Sequence, residues 1–263
     1  MIFDDVLNNP QDHSLTVPRL GECKIKSPMR HCTFVDDDDR ILITADKGAG
    51  QAWIDADKGL PSFEKAGPRE MIYHDPSWTR AAIVTCGGLC PGINDVIKGL
   101  VQILHFDYGV RSIFGIPYGY EGFIPSFKHE PIMLTPECID TIHDEGGTIL
   151  GSSRGQQETP AIVDTLMRMN INMLFCVGGD GTLRAAHDIS EEAHKRGSAI
   201  SVIGVPKTID NDLHFVGRSF GFETAVYTSS DIITSAHMEA RGAFNGIGLV
   251  KLMGRDSGFI AAY

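Results

Sequence analysis

The sequence predicts an α/β fold, a mostly parallel sheet with helices on both faces. Three observations carry this. From residue 81 onward, short apolar runs alternate with segments whose apolar residues recur every three or four positions. The apolar runs are continuous, as strands covered on both faces are. Glycines, acids and single arginines collect where those runs end, which is where open α/β sheets place their chemistry. The chain has 263 residues, enough for one large domain or two small ones, and a hydrophobic content of 42% supports a sizeable core.

Residues 1–80 differ from the rest. They hold Pro10, Pro18, Pro28, Pro61, Pro68 and Pro76 and the acidic run 36–39. This part reads as an extension wrapping over a core, with a short strand at 40–44. Four adjacent acids cannot all face one ion, so 36–39 reads as a solvated turn. The regular pattern begins with a strand at 81–86. It passes through Gly87-Gly88-Leu89-Cys90-Pro91-Gly92 into a helix at 91–106, where Ile93, Val96, Ile97, Leu100, Val101 and Leu104 mark a buried face. A strand at 112–116, a helix near 136–145 and the loop Gly151-Ser152-Ser153-Arg154-Gly155 follow. A helix at 159–169 leads into a strand at 172–177. A helix at 182–196 leads into a strand at 199–205, which reads as buried. Beyond Asp212 come a long helix at 223–241 and a strand at 246–252. There is no internal repeat and no low-complexity tract.

The net charge of −11, with no long basic run, argues against a nucleic-acid-binding surface. It leaves anionic metabolites open, because a few arginines and a metal hold a phosphate locally. The six cysteines show no CxxC pair, so they read as reduced thiols of a reducing compartment. No run approaches the ~20 apolar residues of a membrane span. Met1 to Asp5 lack the basic and apolar regions of a signal peptide. The expectation is a soluble cytoplasmic protein.

Each strand end has a chemical reading and a plainer one. At Gly87, Gly88 and Gly92, backbone N–H groups would approach phosphate oxygens beside a helix N-terminus. An ordinary tight turn accounts for the same residues equally well. Gly178-Gly179-Asp180-Gly181-Thr182 sets one acid among small residues at a helix start, where Mg²⁺ would bridge Asp180 to nucleotide phosphates. Helix capping by Asp180 is the competing reading. The P-loop pattern GxxxxGK[ST] is absent. In Thr208-Ile209-Asp210-Asn211-Asp212, one acid would take a hydroxyl proton while the other helps hold the metal. The competing reading is an Asx-type turn. Arg154 and Arg255 sit among small residues, where a planar guanidinium can clamp phosphate. His187, His194 and His237 fall on predicted helices and read as edge or surface residues.

In combination these residues resemble the 6-phosphofructokinases. The matching segments are GGLCPGIND at 87–95, GSSRG at 151–155, GGDGT at 178–182, PKTIDND at 206–212, FGFETA at 220–225 and MGRDSGF at 253–259. Ala66-Gly67-Pro68-Arg69-Glu70 and the long extension are similar to the branch found in plants and kinetoplastids. The resemblance implies a phosphofructokinase-like fold, with an extension at 1–80, a nucleotide-binding domain at 81–225 and the beginning of an incomplete sugar-phosphate domain at 226–263. It implies a nucleotide site at Gly88, Arg154, Gly155, Gly179, Asp180, Gly181 and Thr182. Asp180 would bind Mg²⁺, with Asp212 supporting the metal. Asp210 would be the catalytic base that activates the sugar 1-hydroxyl. Thr208, Ile209, Asp210, Met253, Gly254 and Arg255 would contact fructose 6-phosphate.

The resemblance also bears on the phosphoryl donor. Gly181 leaves room for the α-phosphate of ATP, whereas an acid there favours pyrophosphate. Lys207 is usual in pyrophosphate users but also accompanies the glycine in ATP-dependent members of the long branch. Gly246 stands where some members carry an arginine that reaches a neighbouring subunit; the nearest upstream arginine is Arg241. Members of the family continue past the position of Tyr263, so the chain reads as truncated. The partners implied are ATP and fructose 6-phosphate, with no nucleic acid, no membrane and a homo-oligomer, dimer or tetramer, in the complete protein. The expected function is ATP-dependent phosphorylation of fructose 6-phosphate. Three alternatives stay open: a pyrophosphate-dependent homologue, an NAD or lipid kinase sharing GGDGT, and an inactive nucleotide-binding fragment or regulatory partner.

Overall fold

The structure, a computed structural model, describes residues 2–263; Met1, the first residue of the predicted extension, lies outside the described residues. The chain divides into two compact units, one formed by residues 1–78 with 106–109 and the other by residues 79–105 with 110–263.

The first unit contains α1 (Ile2–Asn8), β1 (Ile25–Lys26), β2 (Arg40–Leu42), α2 (Lys47–Asp55), β3 (Ser62–Glu64) and β4 (Met71–Ile72). β1 pairs with β4 and β2 with β3, both antiparallel. Asp46 caps α2 by accepting the Ala49 N–H at 2.8 Å. The acidic run is an exposed turn in which Asp37 pairs with Arg69 at 3.1 Å.

The second unit is built on β5 (Arg80–Thr85), α3 (Ile93–Gln102), β6 (Ser112–Ile116), β7 (Ile132–Met133), α4 (Thr159–Arg168), β8 (Met173–Gly178), α5 (Asp180–Lys195), β9 (Ser201–Pro206), α6 (Phe222–Gly242) and α7 (Phe259–Ala262). Its sheet has the order β7-β6-β5-β8-β9, parallel except for the antiparallel edge strand β7. Register places Ala82 and Val84 beside Leu174 and Cys176, with Ile116 on the same face. These pack with Ile162, Val163 and Leu166 of α4 and Ala186, Ile189 and Ala193 of α5 in one buried core. The other face, bearing Ala81, Ile83 and Ile113, is equally buried. There Leu134 and Leu150 close over Gly115; α3 buries the stripe Ile93, Ile97 and Val101.

Three expectations are corrected. The helix near 136–145 is a series of turns with only Ile142–Asp144 as a 3-10 turn. Thr135 and Cys138 satisfy each other's backbone through Thr135 N–H to Cys138 Sγ at 3.1 Å and Cys138 N–H to Thr135 Oγ1 at 3.4 Å. Such local bonds compete with helix formation, and Thr141, His143 and Asp144 are weak helix formers. The strand at 246–252 is irregular. Among the described residues no strand pairs with it, and Ile247 and Leu249 are more than 90% exposed. An apolar run becomes a strand only where a neighbour takes its N–H and C=O groups. The strand predicted at 199–205 is present as β9, but it is half-buried, because it is the last strand of the sheet.

Candidate active site

The strand order places a cleft. From β5 the chain builds outward through β6 to β7 on one side; β8 and β9 lie on the other. Connections leaving the carboxyl ends of β5 and β8 therefore diverge, which opens a crevice between two loops. A cleft of about 1900 Å³ lies there.

The Cys86 N–H donates to the Val177 carbonyl at 2.9 Å, and beyond it the two strands part. The Gly87 N–H donates to the Ser153 carbonyl at 3.1 Å, and Ser152 Oγ donates to the Gly87 carbonyl at 2.6 Å. Gly87 is thus committed to the 151–155 loop and does not offer its N–H to a phosphate, contrary to the sequence expectation. Gly92 also departs from it. It caps α3 with φ of 91°, packed beside Phe220, and does not line the cleft. Gly88 does line it, and a Cβ there would sit 3.4 Å from an Arg154 guanidinium nitrogen.

The second wall is the start of α5. Gly179 is its N-cap and supplies no side-chain acceptor, so the first N–H groups of the helix face the cleft uncapped. Asp180 is the first helical residue rather than the cap, which removes the capping reading. Its exposed carboxylate pairs with Arg184 one turn on at 2.5 Å. A Cβ added to Gly178 would lie 2.3 Å from Thr182 Oγ1, so the strand end and the first helical turn meet directly. A Cβ added to Gly181 meets no atom within 4 Å, so the space over this residue is open.

The third wall follows β9. The Lys207 N–H donates to the Gly178 carbonyl at 2.9 Å, and its ammonium donates to the Gly88 carbonyl at 2.6 Å. One buried residue so joins all three strand ends. Burial pulls the Lys207 pKa down, and the nearby Arg154 adds to this, against opposing pulls from Cys90, Cys86 and Asp210. Thr208 Oγ1 donates to Asp212 Oδ1 at 2.6 Å and accepts the Asp210 N–H at 3.1 Å. Asn211 has φ of 51° and accepts the Ser219 N–H at 2.8 Å. Asn211 is therefore the turn former, and Asp210 is left for another task. Its Oδ1 is buried without a hydrogen-bond partner among the described residues. Burial, then the like charge of Asp212, raises the Asp210 pKa, while Arg255 and Lys207 oppose the rise.

Met253 and Arg255 reach the cleft although no strand precedes them. Ser257 fastens this segment, donating to the Asp210 carbonyl at 3.1 Å and the Gly254 carbonyl at 2.7 Å. Gly254 itself is buried and does not line the cleft. The other residues singled out from the sequence do: Arg154 and Gly155, Gly179 to Thr182, Lys207 to Asp210, and Asp212. His187 lies on the lining too, exposed on α5, whereas His194 and His237 are exposed elsewhere. Sequence reasoning missed Tyr120, Ser152, Ser219 and Ser257. Each acts through one hydroxyl on a distant backbone carbonyl, a contact without a sequence signature.

Asp180 and Asp212 are both exposed at the cleft. Among the described residues no group of three or more His, Cys, Asp or Glu side chains forms a metal cage. A carboxylate pair on an open cleft fits Mg²⁺, which keeps several waters and shares phosphate oxygens. The arrangement as a whole gathers helix N–H groups, two guanidinium groups and an ammonium around a buried carboxylate. That set can bind a polyphosphate and take a proton from a hydroxyl beside it.

Comparison with known proteins identifies the family and the fold. The family model described as Phosphofructokinase matches residues 80–263. An ATP-dependent 6-phosphofructokinase of Borreliella burgdorferi is 50% identical over 94% of this chain and 56% of its own length. One from Trypanosoma cruzi is 51% identical over 76% of this chain and 41% of its own. A chloroplastic ATP-dependent 6-phosphofructokinase of Arabidopsis thaliana is 46% identical over 87% and 43%. Among solved structures, a pyrophosphate-dependent phosphofructokinase from Marinobacter aquaeolei superposes with a TM-score of 0.55 at 25% identity, over 62% of this chain and 42% of that one. The phosphofructokinase of Saccharomyces cerevisiae superposes with 0.59 at 23% identity, over 70% and 27%, which supports the fold. The chain spans 56% of the length of the Borreliella relative. Among the described residues no helix is long and apolar enough to cross a membrane.

Proposed function

The chain belongs to the phosphofructokinase family, and on that premise we propose that it transfers the γ-phosphoryl group of ATP to the 1-hydroxyl of fructose 6-phosphate. The products are fructose 1,6-bisphosphate and ADP. The single observation that carries the reading is the buried, unpartnered Asp210 Oδ1 on the same cleft as the uncapped N-terminus of α5.

In this reading the donor phosphates lie against the first N–H groups of α5 and the Arg154 guanidinium. Asp180 and Asp212 hold Mg²⁺, which neutralises charge on the phosphates when bound. Thr208, Ile209, Met253 and Arg255 position the sugar phosphate; Gly254, buried and off the cleft lining, is left out of that set. Asp210 accepts the proton of the 1-hydroxyl while that oxygen bonds to the γ-phosphorus and the bond to the ADP oxygen breaks. The raised pKa of Asp210 makes it a stronger base than an ordinary carboxylate. Arg255 and Lys207 hold it ionised against burial.

ATP rather than pyrophosphate is favoured by the open space over Gly181 and by the names of the relatives at 46–51% identity. A pyrophosphate-dependent activity is the second reading, favoured by Lys207. We assign residues 226–263 to the start of the sugar-phosphate domain, and 1–80 and 81–225 to the extension and the nucleotide-binding domain. A cytoplasmic setting and a homo-oligomer complete the proposal. The donor is tested by supplying fructose 6-phosphate and Mg²⁺ with ATP or pyrophosphate in turn. Fructose 1,6-bisphosphate formed with ATP supports the assignment; product with pyrophosphate alone overturns it.

A further inference from the structure

Tyr120 lies in the 3-10 turn Gly119–Phe123 that follows β6. It is 5% exposed, and its hydroxyl donates to the Thr182 carbonyl at 2.9 Å. Thr182 belongs to the first turn of α5. Cys86, just past β5, lies beside both Thr182 and Tyr120. The Tyr120 hydroxyl lies against the Cys176 thiol of β8 as well. Groups from β8, α5, the end of β5 and the turn after β6 therefore meet in one buried polar knot at the back of the cleft.

The choice of partner matters. A helix start is ordinarily fixed by a side chain accepting its first N–H groups. α5 has no such cap, and a cap would consume the groups that a phosphate needs. Tyr120 instead takes hold of a carbonyl in the same turn. That anchors the turn from the side and leaves its N–H groups free. The Thr182 carbonyl also lies within a helix and has a helical acceptor role of its own, so the tyrosine bond is not needed to satisfy an orphan group.

We infer that Tyr120 is a positioning residue for the phosphoryl donor, holding the first turn of α5, and with it Gly179 to Gly181, in register with the Gly88 loop. The inference rests on the nucleotide site proposed above.

The test is Tyr120→Phe in the whole chain, which keeps the ring and removes the hydroxyl. MgATP affinity is measured by calorimetry alongside the thermal midpoint and amide hydrogen exchange. The expected result is affinity lower by about five- to tenfold, a midpoint within a few degrees of the parent, and faster exchange confined to the first turn of α5. Cys86→Val replaces the thiol beside Tyr120 and Thr182 at similar bulk. It should weaken MgATP binding too, and the double variant should lose less than the product of the single losses, because both act on one network. Parent-like affinity in Tyr120→Phe overturns the inference and leaves the nucleotide site standing. A loss of affinity that only tracks a general loss of stability, or independent effects of the two substitutions, overturns it as well. A parent chain that does not bind MgATP overturns the proposed function and this inference with it.

Discussion

The ammonium of Lys207 donates to the carbonyl of Gly88 at 2.6 Å, across 119 residues of sequence. With the Lys207 N–H on Gly178, this bond ties the loop after β9 to the loops after β5 and β8. A cation buried here must be paired, and its partner is a neutral carbonyl rather than an acid. Lys207→Met keeps the length of the side chain but strands the Gly88 carbonyl. Stability is expected to fall by about 2 kcal/mol, the scale of a hydrogen bond to a charged group, and MgATP affinity by about tenfold. Urea denaturation and MgATP titration of the same variant check both.

Asp210 is expected to cost stability at neutral pH. Its folded pKa lies above the ordinary carboxylate value of 3.8, through burial first and then the charge of Asp212. Between 3.8 and the raised folded value, the folded chain binds the proton that the unfolded chain has released. Stability from this group is thus present at low pH and is lost as pH rises through the folded pKa. Asp210→Asn removes the charge without changing the shape. It should raise the thermal midpoint at pH 7, with the advantage shrinking as pH is lowered toward 3.8. Thermal melts across pH 4–7 check the sign.

Gly181→Asp isolates donor choice from folding. A Cβ at this position meets no atom within 4 Å, and an acid in the first turn of a helix is favourable by about 0.3–1 kcal/mol. The variant should melt at or slightly above the parent temperature. In the proposed site the new carboxylate would face the donor phosphates, so use of ATP should weaken by at least about tenfold, from one like charge in a partly enclosed site. Rates against ATP concentration, with melting of the same sample, separate the two effects.

The part of this site that the sequence made legible is the part written in consecutive residues. Gly178 to Thr182 and Pro206 to Asp212 follow apolar runs, and both runs are strands because they find neighbours, β8 between β5 and β9. The run 246–252 has the same apolar character but finds no partner among the described residues, so it is not a strand. Local pattern records what a segment prefers and not whether a neighbour is there to pair with it. For the same reason Ser257, whose hydroxyl holds a carbonyl 47 residues away, and Tyr120, 62 residues from its partner, could not be read in advance. Gly87 failed differently: its glycine signal was real, but the N–H it frees serves Ser153.

The thiols should react in an order set by burial. Cys86 and Cys176 are pushed up to about 12 and Cys90 to about 11, desolvation being the largest cause in each. At pH 8 the thiolate fraction is on the order of 10⁻³ or less for all three. Cys138 is exposed. Iodoacetamide at pH 8, followed by peptide mass spectrometry, should label Cys138 early and leave Cys86, Cys90 and Cys176 largely unlabelled until urea is added.

The central claim is that Asp210 is the base of a phosphoryl transfer from ATP to fructose 6-phosphate. The most direct measurement compares the parent chain with Asp210→Asn, following fructose 1,6-bisphosphate formation and MgATP binding in the same samples. The account predicts product from the parent, at least about a thousandfold less from the variant because the base is gone, and equal MgATP affinity in both. Product formation at a parent-like rate in Asp210→Asn, or none from a parent chain that binds MgATP, would contradict it.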